Sequence, residues 1–75
     1  MITTDEIKKM IEAVIPGAQV RVSDMTGTGD HFEIHVASSA FKDRTLLEQH
    51  KMVFDALERE MDNRIHAAQL KTKII

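Results

Sequence analysis

The feature that most constrains this chain is a change of hydrophobic period at Pro16-Gly17. Ahead of it, Ile7, Met10, Ile11, Val14 and Ile15 recur at i, i+3, i+4, i+7 and i+8, one face of a 3.6-residue repeat. Behind it, Ala18, Val20 and Val22 alternate with Gln19, Arg21 and Ser23, the signature of a strand with one apolar face. A chain of 75 residues that must bury both a helical stripe and a strand face does so by laying helix on sheet. Thr3, three residues before Glu6, forms a capping-box pattern that opens the helix, and Pro16-Gly17 closes it.

The rest of the chain repeats this logic. After the glycine-bearing stretch TGTGD, Phe32, Ile34 and Val36 alternate with Glu33 and His35, so two strands joined by a flexible loop form a hairpin. Its far face carries Arg21, Glu33 and His35. The connector Ser38-Ser39-Ala40-Phe41 has room for a short helical turn. Thr45 with Glu48 makes a second capping box ahead of the stripe Leu46, Leu47, His50, Val53, Phe54, Leu57 and Met61. That stripe predicts a helix from about Thr45 to Met61, broken at Asp62-Asn63, with Asp55 and Arg59 paired four residues apart on its wet side. In the tail, His66, Ala68 and Leu70 alternate against Ala67, Gln69 and Lys71, a third strand.

The predicted order is α, β, β, turn, α, β: an α/β (α+β) fold in one domain over residues 1–75. A crossover helix between strands two and three makes them parallel, and parallel strands start at the same end. His31 opens strand two and His66 lies near the opening of strand three, so the topology predicts both imidazoles at one edge of the sheet, beside the TGTGD loop.

Composition narrows the chemistry. The absence of cysteine excludes disulfides, thiolate zinc sites, self-contained iron-sulfur clusters and a Cys nucleophile. With 43% hydrophobic and 29% charged residues the chain reads as an ordinary folded globule. A formal net charge of -2, with three Phe and neither Trp nor Tyr, argues against a non-specific grip on phosphate and against base stacking. No apolar run approaches the roughly 20 residues of a membrane span, and the N-terminus lacks a secretory pattern; the expected address is the cytoplasm. The TGTGD loop leads into a strand instead of a helix N-terminus and does not match a phosphate loop. No Ser, His and acid arrangement suggests catalysis, so the chain is expected not to be an enzyme.

Several residues together resemble the BolA-like proteins: the Phe-containing connector at Phe41, His50 in the long helix, Val53-Phe54-Asp55-Ala56-Leu57, and Ile65-His66-Ala67. The similarity spans nearly the whole chain. It implies a class II KH-like fold, a three-stranded mixed sheet with helices packed on one face. Two departures stand out. The family's F-x-G-x-S connector reads Phe41-Lys42-Asp43-Arg44-Thr45, without the glycine, and its R-H-R core reads Gln49-His50-Lys51.

The resemblance also implies a function. Family members pair with monothiol (CGFS) glutaredoxins, whose active-site cysteine and bound glutathione supply thiolate to a bridging 2Fe-2S cluster. The positions here that match the family's metal-binding histidines are His66, in the I-H-A strand, and His31, in the loop between strands one and two. The implied role is a non-enzymatic adaptor in iron-sulfur cluster trafficking or iron sensing, monomeric or weakly homodimeric when free. Neutral imidazole can replace thiolate on one iron of such a cluster. For His66 the bland reading is a half-buried ring bonded to a backbone carbonyl; for His31 it is a solvated loop residue. Asp30 is the rival loop ligand, or an acceptor that orients His31. His50 supports the site at most indirectly, since its place on the apolar stripe marks it as a packed, hydrogen-bonded core residue. In the adaptor reading Lys71, Lys73 and the C-terminal strand help dock the glutaredoxin. The alternative function is a nucleic-acid-binding transcriptional regulator on the same KH-like fold, supported by the basic residues Lys42, Arg44, Lys51, Arg64, Lys71 and Lys73, of which Lys51, Arg64, Lys71 and Lys73 are the candidate nucleic-acid or partner contacts. The acidic balance and the missing G-x-x-G clamp weigh against it.

Overall fold

A computed structural model of the chain describes residues 2–27, 31–61, 64–65 and 67–75. Helix α1 runs Thr4–Val14 and strands β1 and β2 run Gln19–Asp24 and His31–Ala37. A 3-10 turn follows at Ser39–Phe41, then helix α2 at Leu46–Ala56 and strand β3 at Ala67–Lys73.

The start of α1 is fixed by its sequence. Glu6 N–H donates to Thr3 Oγ1 at 3.1 Å and Thr3 N–H to Glu6 Oε1 at 3.2 Å, closing the capping box. Ile2, just before the cap, and Ile7, four residues after it, are both buried in the core, which pins the entry of the chain as a hydrophobic staple does. Ile7, Ile11 and Ile15 are fully buried, whereas Val14 is 56% exposed and lies outside the stripe the periodicity suggests. Gly17 takes a left-handed φ of 69°, a conformation glycine adopts without steric cost, and turns the chain into β1.

The sheet order is β1-β2-β3. β1 pairs antiparallel with β2, and β2 pairs parallel with β3 in the register His31↔Ala67 through Ala37↔Lys73, the parallel pairing expected of a crossover through α2. Phe32, Ile34 and Val36 are buried under the helices, and Val20, Val22, Ala68 and Leu70 pack with them. The other sheet face, carrying Arg21, Glu33, His35 and Lys71, is left uncovered, so the mixed sheet with helices on one side agrees with the sequence reading.

Helix α2 departs from that reading in length and in phase. It ends at Ala56, five residues short of Met61; Leu57 caps it, its N–H reaching the Phe54 and Asp55 carbonyls. Asp55 accordingly pairs backwards with Lys51, at 3.1 Å, and not forwards with Arg59, which lies beyond the helix. Leu46 and Leu47 are 62% and 79% exposed, while Gln49 is buried beside Val53. The rotation has a polar cause: Gln49 Nε2 donates to the Arg44 carbonyl at 3.0 Å, and its Oε1 accepts from Thr72 Oγ1 at 2.6 Å, so the amide is satisfied on both sides. Asp62 and Asn63, expected to break the helix, lie outside the described residues.

The connector has its own constraint. Ser38, fully buried, caps the 3-10 turn by accepting from Ala40 N–H at 3.0 Å. Asp43 then adopts φ 64°, the left-handed region where L-residues other than Asn and Asp are rare. This is the position at which the resembling family carries glycine.

Candidate functional site: the opening end of strands two and three

The hairpin loop is built from its first residues. Asp24 Oδ1 accepts from Thr26 N–H at 3.2 Å and from Gly27 N–H at 2.9 Å, an Asx turn that starts the loop without ladder bonds. Gly27, at φ 74°, supplies the left-handed residue. Across the loop, Met25 N–H donates to the His31 carbonyl at 2.8 Å. His31 is thereby held as the first residue of β2, half-buried on the uncovered face.

His31 lines a shallow recess of about 210 Å³ with Met25, Thr26, Ala67, Ala68 and Gln69. Its register partner is Ala67, the residue that follows His66 in sequence. His66 and Asp30 themselves lie outside the described residues. Among the described residues no three His, Asp or Glu side chains converge on a point that could hold a metal ion.

His50 stands apart from this end. Its neighbour Gln49 is bonded to Thr72, five residues along β3 from Ala67, or about 17 Å at strand spacing. Partly exposed on the helix layer, His50 is less deeply packed than the expected core histidine; the buried polar residue of α2 is Gln49. The sequence-predicted basic set also divides. Lys51 is taken up by Asp55, and Arg64 by Glu60 and Glu6. Arg64 ties the 8%-exposed Glu60 to α1, through Nε at 2.8 Å to Glu60 and Nη1 at 3.4 Å to Glu6, and the Glu60 carboxylate raises its pKa further. Lys71 and Lys73 lie together on the uncovered face of β3.

That face holds residues sequence reasoning did not join. Arg21, His35 and Lys71 are register partners in one row across the three strands. Glu33, one pleat along, accepts from His35 Nε2 at 2.5 Å. The His35 hydrogen bond, then the charges of His35 and Lys71, hold the Glu33 carboxyl below its ordinary value. Alternation had placed Arg21 and His35 on this face, but only the register between strands shows that they align with Lys71.

The BolA-like protein family model matches residues 5–74. The chain belongs to this family. A BolA homologue from Coxiella burnetii of solved structure is 36% identical and superposes with a TM-score of 0.83 over 99% of this chain and 92% of its own. The Arabidopsis thaliana protein BOLA2 is 36% identical over 72 residues, 95% of this chain and 76% of that protein. The solution structure of yeast Fra2 is 30% identical, with a TM-score of 0.76 over 95% of this chain and 77% of that one. The BolA fold is therefore shared along essentially the full length. No helix among the described residues is long and apolar enough to cross a membrane.

Proposed function

We propose that this BolA-like chain is a non-enzymatic adaptor that binds a monothiol glutaredoxin in the cytoplasm and shares a 2Fe-2S cluster with it, in cluster trafficking or iron sensing. His66 and His31 supply nitrogen to iron, and the partner's cysteine and glutathione supply the thiolate. The observation that carries this reading is the pairing of His31 with Ala67, one residue along the chain from His66. A shared metal centre needs that juxtaposition. The donor set fits as well: a chain with no cysteine can offer iron imidazole nitrogen and must take thiolate from another molecule. His31 borders an open recess and not a closed pocket, the arrangement a site completed by a partner requires.

The test is reconstitution. The purified chain is mixed with a CGFS glutaredoxin, glutathione, ferrous iron and sulfide, and visible absorption and circular dichroism are compared for wild type, His66→Ala and His31→Ala. The adaptor reading expects a mixed-complex spectrum distinct from that of the glutaredoxin alone, abolished by His66→Ala and altered by His31→Ala. Spectra identical across all three proteins would refute it. The alternative, a nucleic-acid-binding regulator, has six basic residues to draw on, two of which, Lys51 and Arg64, form intramolecular ion pairs; a salt titration against duplex DNA with the steep slope of a many-phosphate contact would favour it.

A further inference from the structure

The uncovered sheet face is charged in a way the chain as a whole is not. The formal net charge is -2, yet this face gathers Arg21, Lys71 and Lys73 around His35, against one carboxylate, Glu33, already bonded to His35. Among the described residues no ion pair takes up Arg21, Lys71 or Lys73. Of the seven other cations, three are paired, Lys9 with Asp5, Lys51 with Asp55 and Arg64 with Glu60 and Glu6; what sets Arg21, Lys71 and Lys73 apart is that they share one face of the sheet. The cations border a recess of about 410 Å³ that Ala37 and Ile75 also line.

We infer that this recess binds an extended acidic segment of a protein partner, its carboxylates on Arg21, Lys71 and Lys73 and an aliphatic side chain over Ala37 and against Ile75. The inference rests on the adaptor reading only in taking the occupant to be a protein. Spacing supports it: Lys71 and Lys73 are two residues apart on β3, about 6.6 Å, and alternate side chains of an extended peptide repeat at about the same distance. A nucleic-acid strand fits less well. Phe32 and Phe41 are buried on the helix side and Phe54 belongs to α2, so no Phe ring faces the sheet surface for bases to stack on, and the His35 ring in this recess is already bonded to Glu33. Three formal cations fall short of the 6–10 phosphate contacts behind a strong electrostatic grip on DNA. The surface is also distinct from the His31 end: the Arg21–His35–Lys71 row lies four residues along β2 from His31, about 13 Å. A partner could therefore engage both at once.

The experiment uses the full chain without metal or glutaredoxin, labelled with 15N, at about 50 mM salt. The probes are an acetylated, amidated decapeptide alternating Glu and Ser with one central Leu, the same peptide with Lys for Glu, and a ten-nucleotide oligothymidine. Expected are saturable amide shifts with the Glu peptide, concentrated at Arg21, His35, Ala37, Lys71 and Lys73, and none with the Lys peptide. Arg21→Glu/Lys71→Glu should weaken binding by at least about tenfold, as reversal of complementary charges does, while Lys51→Glu on the helix layer leaves it unchanged; circular dichroism checks that each variant is folded. No saturable shift, shifts outside this face, equal loss in Lys51→Glu, or tighter binding of the oligothymidine would each overturn the inference. None of these outcomes touches the cluster spectrum, which judges the adaptor reading separately.

Discussion

Removing the Gln49 side chain should loosen α2 from β3 more than any exposed change on that helix. Gln49→Ala deletes the bond donated to the Arg44 carbonyl and the one accepted from Thr72 Oγ1, each worth about 0.5–1.5 kcal/mol net. It also leaves a gap at a 7%-exposed position, so the total cost is about 2–3 kcal/mol. For a chain of 75 residues the whole stability is about 4–11 kcal/mol, so the variant loses a large fraction of it. The chain has neither Trp nor Tyr, so urea unfolding is followed by far-ultraviolet circular dichroism. With a slope near 1 kcal/mol per molar urea the midpoint falls by about 2–3 M. Thr72→Val, which strands the Gln49 oxygen, should cost about 1–2 kcal/mol, and the double variant should cost about 1 kcal/mol less than the sum. Additive losses, or a Gln49→Ala cost under about 0.5 kcal/mol, would refute the view that this pair sets the phase of α2.

Asp43→Gly should stabilise the protein by roughly 0.5–1 kcal/mol, measured by urea unfolding, because φ 64° costs glycine no steric penalty; Asp43→Val should lose about 1 kcal/mol or more, since a β-branched residue tolerates that region worst. Stability should also fall in acid. The Thr45 main-chain N–H first, then its hydroxyl, holds the Glu48 carboxyl below its ordinary 4.5, and His35 does the same for Glu33. A depressed carboxyl stabilises the fold above pH 4.5 and loses that contribution as pH drops through its lower folded value, so Glu48→Gln should flatten the unfolding-midpoint profile below pH 4.5 relative to wild type. The mixed cluster complex should lose its visible spectrum in mild acid, where protons compete with iron for neutral imidazole; a spectrum unchanged at pH 5 would count against histidine ligation.

What the sequence made legible is what is local. The capping boxes at Thr3 and Thr45 and the alternation in β1, β2 and β3 rest on neighbours within a few residues, and all appear in the structure. The phase of α2 depends on Thr72, 23 residues from Gln49, a hydroxyl the apolar count of the helix has no access to; counting placed Leu46 and Leu47 inside, where they are exposed. The early end of α2 carries no Pro or Gly signal, so periodicity ran past it. At the candidate site, His31 as the first residue of β2 and the parallel start of β3 followed from the crossover rule. The row Arg21–His35–Lys71 did not, because it exists only once two registers are known. Asp43 shows the reverse: a missing family glycine noticed in sequence acquired its physical meaning from one backbone angle.

In the proposed complex, imidazole from this chain and thiolate from its partner meet on one cluster. Pulsed electron paramagnetic resonance on the reduced mixed complex, with this chain alone carrying 15N-histidine, tests it most directly. Histidine ligation predicts a hyperfine coupling to 15N that His66→Ala removes. A reduced cluster of unchanged spectrum, with no coupling to nitrogen of this chain, would contradict it.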